Sequence, residues 1–399
     1  MYMMWVLNQA GYEARICGGA VRDIILGTTP KDWDIATTAL PEQVTAAMYD
    51  QGIEVIPTGL QHGTVTAVKD RKPYEITTLR VDEKTDGRHA DVRFTDDWEL
   101  DSNRRDFTFN ALYLDENGIV YDYHDGVIDL QNGNVRFVND AETRIQEDYL
   151  RILRYYRFWT RMANTLGRET PVDSNIVEAI KNNVHGLKQI SGERIWDELK
   201  KIFKEHDSSK YDQYTYLTLT AMHQMGVLAS IGISDVTHYN LHYLLRDAEL
   251  TSCVAVTMMN AFFPSVSFKE WYNLLKNRFH ASSNELRSVK FVIDHNHMIR
   301  SENNTLELMA FHDKSLVLDW LMVGSVMHRS SQQTRNNVSL VNNTDVPDFP
   351  VSGNDLIDMG FKQGPEIGKI LHKLKLSWAH SGFNKKRDYL LNSISSNGA

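Results

Sequence analysis

The sequence predicts an α+β chain, with a small mixed β-sheet at the N-terminal end and helices alone after it. Two observations carry this reading. Up to about residue 136, short runs of β-branched alternation, such as Val65 with Ala67 and residues 74–79, mix with turn residues. Beyond about residue 140, apolar residues recur at helical spacing, and that texture holds to the C-terminal end. At 399 residues the chain exceeds what one core usually encloses, so several domains are expected.

The elements follow in order. Arg15-Ile16-Cys17 reads as a short strand, Gly18-Gly19 as a turn, and Ile24-Ile25-Leu26 as part of the helix it opens. Pro41 and Glu42 start another helix. The strands at Val65 and at 74–79 are joined by a hairpin turn across 69–73. Residues 141–161 read as one amphipathic helix. Residues 191–203 read as a second, with Ile195, Leu199, Ile202 and Phe203 on one face. The Asn- and Asp-rich stretch 336–350 is expected to be the longest irregular connection.

Composition narrows the function classes. Hydrophobic residues make up 42% and charged residues 24%, the mix of an ordinary soluble protein. No apolar run is long enough for a membrane span. The N-terminal residues 1–8 lack both a basic leader and the Arg-rich character of a transit peptide. Cys17 and Cys253 give neither a disulfide framework nor a zinc spacing, so a reducing cytoplasm is the expected address. The net charge of −9 is uneven: residues 1–136 hold 13 Lys and Arg against 23 Asp and Glu, and the remainder is near neutral. That fits an acidic metal-binding head on a body that contacts phosphates, and equally fits ordinary charge scatter.

The chemistry concentrates in a few segments. Gly18-Gly19-Ala20-Val21-Arg22-Asp23 is a Gly-rich turn at a helix start, where free amides and Arg22 favour a phosphate. Alone it is a plain turn. Ten residues beyond Arg22, Asp32-Trp33-Asp34 would present two carboxylates on one strand face. Two such charges repel unless a cation sits between them, and hard oxygens select magnesium, making Asp32 and Asp34 the expected ligands. Glu75 is the candidate for a third, catalytic carboxylate, with a solvated strand residue as the alternative. On a helix, Asp148, Arg151, Arg154 and Arg157 would form one row. One carboxylate facing three arginines suits an external anion. Asp148 accepting from an amino group while Arg151 donates to a ring nitrogen admits cytosine and adenine and rejects guanine and uracil.

In family order, these segments resemble the class II tRNA nucleotidyltransferases, the CCA-adding enzymes of the polymerase β-like superfamily. Gly18 to Asp23 with Asp32-Trp33-Asp34 is similar to the first motif and Arg104-Arg105-Asp106-Phe107-Thr108-Phe109-Asn110-Ala111 to the second. Asp125-Gly126 resembles the hinge motif. Glu147-Asp148-Tyr149-Leu150-Arg151 through Arg154 resembles the base-reading motif, and Ser191-Gly192-Glu193-Arg194-Ile195 a structural neck motif. The resemblance implies a nucleotidyltransferase head at 1–136, a nucleotide-reading neck at 137–204, a helical body at 205–290 and a helical, tRNA-binding tail at 291–399. It implies CTP and ATP as donors, a tRNA 3′ end as acceptor and Mg2+ as cofactor. It further implies nucleotide binding by Gly19, Arg22, Arg105, Asp148, Arg151, Arg154 and Arg157, beside which Gly18 of the turn and Asn110 near Arg105 are further nucleotide-binding candidates. The polar stretch 80–98, with Asp86-Gly87-Arg88-His89, reads as a flexible loop, an element the family uses in switching from C to A.

Alternatives stay open. A poly(A) polymerase shares the head motifs, and partial enzymes add only CC or only A. An RNA-binding scaffold would not need the paired aspartates. The His206-Asp207 and His312-Asp313 pairs do not assemble into a second metal site.

Overall fold

The computed structural model describes residues 2–85, 90–204, 213–233, 253–256, 258, 268–328 and 331–395. They belong to two compact units, Met1–Asp207 with Asp212–Ser234, and Ser208–Tyr211 with Asp235–Ala399.

The first unit is organised by its strands: β1 (Ala14–Cys17), β2 (Asp34–Thr37), β3 (Glu54–Gly59), β4 (Thr64–Lys69), β5 (Lys72–Thr78), β6 (Arg80–Thr85), β7 (Ala90–Phe94), β8 (Leu112–Leu114) and β9 (Val120–Asp122). Seven of them form one mixed sheet in the order β3-β4-β5-β2-β1-β8-β9. Only β2 and β5 run parallel; the other neighbours are antiparallel. The β4–β5 hairpin turns on Asp70 and Arg71, both at positive φ (51° and 62°), as a two-residue hairpin requires. Helices α1 (Tyr2–Gln9), α2 (Gly19–Ile25) and α3 (Pro41–Tyr49) pack on this sheet, α3 opening with its proline in the first turn.

The stretch 80–98 is not a loop throughout. β6 and β7 pair as a hairpin of their own, and α4 (Trp98–Asn103) follows, capped by Asp97. Asp86-Gly87-Arg88-His89 lies outside the described residues.

After α5 (Gly126–Asn132), helices take over. The single helix expected over 141–161 is two: α6 (Ala141–Glu147) and α7 (Arg151–Leu166). Asp148 between them is extended (φ −153°, ψ 102°), and its Oδ1 accepts the Leu150 amide at 3.1 Å. That local bond offers the backbone an alternative to the helix ladder. Tyr149 packs so closely on Gly186 that a Cβ there would stand 2.1 Å from its ring. Helix α8 (Ser174–Asn183) packs on α6, and α9 (Gly192–Lys204) packs on α7. Stacked and edge-on contacts join Phe107, Phe109 and Phe137 to Phe158 of α7, so one core runs from the sheet region into the helices.

The second unit is helical in its described residues and buries Trp271, Trp320 and Trp378. Its helix Ser331–Asn343 covers half of the irregular stretch expected at 336–350. Val338 and Val341 are buried there, and Asn337 Nδ2 donates to the Arg300 carbonyl at 3.0 Å. Tertiary burial overrides the weak helix preference of asparagine. No helix among the described residues is long and apolar enough to cross a membrane.

Candidate active site

The carboxylates meet where β2 and β5 run parallel. Asp34 and Glu75 are register partners, so their side chains leave the same face of neighbouring strands. Asp32 lies in the bend before β2, which starts at Asp34. Strand alternation therefore does not pair the two aspartates as expected; strand adjacency pairs Asp34 with Glu75. Burial pushes the Asp34 carboxyl up, repulsion from Glu75 adds to this, and Asp32 adds less, while Arg105 pulls it down. A cleft of about 720 Å³ opens here, lined by Asp32, Trp33, Asp34, Lys72, Tyr74 and Glu75 among others.

No three His, Cys, Asp or Glu side chains among the described residues converge as a ready-made metal cage. Magnesium does not need one, since it takes one or two carboxylates and completes its shell with water and phosphate oxygens. Asp34 with Asp32 or Glu75 is a suitable donor set, and their mutual repulsion is what a divalent cation relieves.

Next to these carboxylates lies the glycine turn. Gly18 has φ 66°, and a Cβ there would stand 3.1 Å from Arg105 Nη1. Both the conformation and the close guanidinium call for glycine. Arg105 donates to the Tyr113 hydroxyl (3.2 Å), to Asp101 Oδ2 (3.3 Å) and to the Asn110 carbonyl (3.4 Å). Asp101 is absent from the sequence-derived site, although its spacing four residues before Arg105 on a helical stretch was the available signal.

Arg22 is buried (5% exposed). Its Nε donates to Asp23 Oδ1 (2.9 Å) and its Nη1 to Asn110 Oδ1 (2.7 Å). Gly19 faces it: a Cβ there would stand 3.4 Å from Arg22 Nη2. Asn110 Nδ2 donates to Asp106 Oδ1 (3.0 Å), and Asp106 Oδ2 accepts from Arg154 Nε (2.8 Å). A continuous polar chain, Arg22–Asn110–Asp106–Arg154, thus links α2 to α7. Arg161 closes a second link by donating to Asp23 Oδ1 (2.9 Å).

The arginine row is arranged differently from the expectation. Because Asp148 sits in the break and not on a helix, it is not a helical neighbour of Arg151. Asp148 Oδ2 instead accepts from Arg194 Nη2 of α9 (2.7 Å), and Arg151 pairs with Glu147 (2.5 Å). Arg154 pairs with Asp106, and Arg157 Nε lies 2.6 Å from Glu198 Oε2. Carboxylates from α6, the second motif and α9 therefore face the row, so Asp148 is not the single counter-charge read from the sequence. Glu198 was missed because its arginine partners, Arg154 and Arg157, lie some forty residues away in the chain.

Elsewhere, Lys200 and Lys201 pair with Asp197 (2.9 Å) and Glu198 (3.1 Å). The His312 ring lies 5.3 Å from that of His295, and Asp313 pairs with Arg287 (2.8 Å). His206-Asp207 is outside the described residues.

Known proteins resemble this chain in sequence and fold. Residues 14–136 match the Poly A polymerase head domain, and residues 171–229 match the probable RNA and SrmB-binding site of polymerase A. The mitochondrial CCA tRNA nucleotidyltransferase 1 of Danio rerio is 37% identical over 397 residues, covering 98% of this chain and 89% of its own length. The chain belongs to the CCA tRNA nucleotidyltransferases. A CCA-adding enzyme of Streptococcus pyogenes serotype M2 is 31% identical, covering 93% of this chain and 90% of its own. The crystal structure of the Bacillus stearothermophilus CCA-adding enzyme in complex with CTP has the same fold, with a TM-score of 0.74 over 99% of this chain and 97% of that one at 24% identity. The CCA-adding fold therefore supplies both parts seen here, a mixed-sheet head and helices behind it.

Proposed function

We propose that this nucleotidyltransferase adds C, C and A in turn to the 3′ end of tRNA from CTP and ATP, with Asp32 and Asp34 holding magnesium. The observation that carries the reading is the Asp34–Glu75 pair beside the Gly18–Arg105 contact, in a chain whose full-length relatives bear the CCA tRNA nucleotidyltransferase name. In this reading the terminal hydroxyl oxygen attacks the α-phosphorus, the bond to pyrophosphate breaks, and the hydroxyl proton passes to Glu75. Bound magnesium would polarise the phosphate oxygens and neutralise charge on the leaving pyrophosphate. Arg105 holds the nucleotide at the glycine turn. Arg22, Asn110 and Arg154 hold the reading helix α7 against the head, and Arg157 ties it to α9 through Glu198. Asp148 keeps its pairing with Arg194 and still has lone pairs free to accept the base's amino group, while Arg151 donates to the ring nitrogen.

The test uses tRNA transcripts ending before CCA, after C and after CC, each with magnesium and one or both of CTP and ATP. Two Cs, then one A, then a stop is the expected result. Long A tails without C would indicate a poly(A) polymerase. Addition of C only or A only would indicate a partial enzyme.

For the address, Cys17 and Cys253 form no disulfide, which suits a reducing compartment such as the cytoplasm. The vertebrate relatives named mitochondrial make the organelle the competing location. Imaging the tagged full-length protein decides between them.

A further inference from the structure

We propose that Asp101 positions Arg105 for the incoming nucleotide and ties the base of the β6–β7 hairpin to the same point. This rests on the reading of Arg105 as a nucleotide-binding residue. Asp101 is fully buried (0% exposed) on α4, and its two oxygens serve two sets of donors. Oδ2 accepts from the Tyr113 hydroxyl (2.7 Å) and Arg105 Nη2 (3.3 Å). Oδ1 accepts from Arg104 Nε (2.8 Å) and from the backbone amide of Arg80 (3.1 Å), the first residue of β6.

The consequence for Arg105 is geometric. Its Nε donates to the Tyr113 hydroxyl, which in turn donates to Asp101. The Asp101–Tyr113 pair thus grips the guanidinium at two nitrogens and directs Nη1 at the Gly18 turn. A long side chain ordered before the ligand arrives gives up less freedom on binding. Burial opposes the Asp101 charge, but Arg104, Arg105 and the Tyr113 hydroxyl hold its carboxyl far below the usual range. Well-packed apolar groups commonly replace a buried ion pair without loss of stability, so stability alone does not call for this carboxylate. The Arg80 amide adds a coupling. Displacing the base of the hairpin breaks the bond to Oδ1, turns the carboxylate and moves Arg105 with it.

The test measures KM for CTP, ATP and tRNA, together with kcat, for the full chain and for Asp101→Asn. The expected result is a KM about tenfold higher for both nucleotides, with kcat and the tRNA KM changed less than about twofold. Tyr113→Phe keeps the carboxylate and loosens one grip, and its nucleotide KM should rise roughly threefold. A folded Asp101→Asn enzyme with unchanged nucleotide KM overturns the proposal. If that variant does not fold, an unchanged KM in Tyr113→Phe overturns it. CTP binding should also slow hydrogen exchange at the Arg80 amide in the native chain and not in Asp101→Asn; equal slowing in both overturns the hairpin coupling. A native enzyme that adds neither C nor A would refute the functional reading instead, which separates the two failures.

Discussion

Asp148 and Arg194 form an ion pair 2.7 Å long that joins the break between α6 and α7 to α9. The carboxylate assigned to reading the base is thereby fixed from a helix more than forty residues further along the chain. Asp148→Ala should relax selection against GTP and UTP by about tenfold to a hundredfold, because a mismatched base would no longer face a like partner. Competition assays with mixed nucleotides measure this, and unchanged selectivity would remove Asp148 from the reading role. Arg194→Ala should raise the KM for CTP and ATP while leaving the tRNA KM alone.

Asp34→Asn should lower kcat more than about 100-fold, since it removes the carboxylate in register with Glu75 and within the field of Arg105. Glu75→Gln separates the roles. A large kcat loss with unchanged magnesium dependence marks a proton acceptor, whereas a loss recovered at higher magnesium marks a ligand. Full activity in Glu75→Gln would make it a plain strand residue.

Asn110→Ala should destabilise the first unit by about 3 kcal/mol, because it leaves buried Arg22 Nη1 without its acceptor and half-buried Asp106 Oδ1 without one of its donors. Urea denaturation of the full chain measures this. A change under about 0.5 kcal/mol would show that water replaces the link.

Asp319 gives a pH prediction. Burial pushes its carboxyl up to about 7 from an ordinary 3.8. Below pH 3.8 both folded and unfolded chains hold the proton, and the group costs nothing. As pH rises, the unfolded chain releases its proton first, so stability falls until about pH 7 and then stays level. Asp319→Asn should therefore raise the melting temperature at pH 8 and do so much less at pH 4.5. An equal gain at both values would assign the effect to packing.

Much of the site was legible because its signals are local. Gly18 stands before a helix, Asp34 and Glu75 fall on strand-like runs, and Arg105 lies in a dense run of polar and aromatic residues. What stayed hidden depends on contacts between distant segments. Arg194 and Glu198 acquire their roles from partners that the fold supplies, and Asp101 adds Arg80 and Tyr113 to its local pair with Arg105. Asp148 misled in the opposite sense. Apolar spacing on either side of it reads as one helix, and only the bond from its side chain to the Leu150 amide, with Tyr149 seated on Gly186, ends α6 there. Likewise, the helix through Asn336 and Asn337 runs against local preference and is held by burial of Val338 and Val341.

The aromatic stack of Phe107, Phe109, Phe137 and Phe158 has a consequence for modular exchange. The matched head family ends at residue 136, yet Phe137 and Phe158 lie beyond that limit and shield Phe107 and Phe109 from water. A fragment cut at that limit would carry a bare aromatic face and self-associate. A head transplanted between relatives would need its matching α7 to travel with it, so natural recombination at this junction should be rarer than the family boundary suggests.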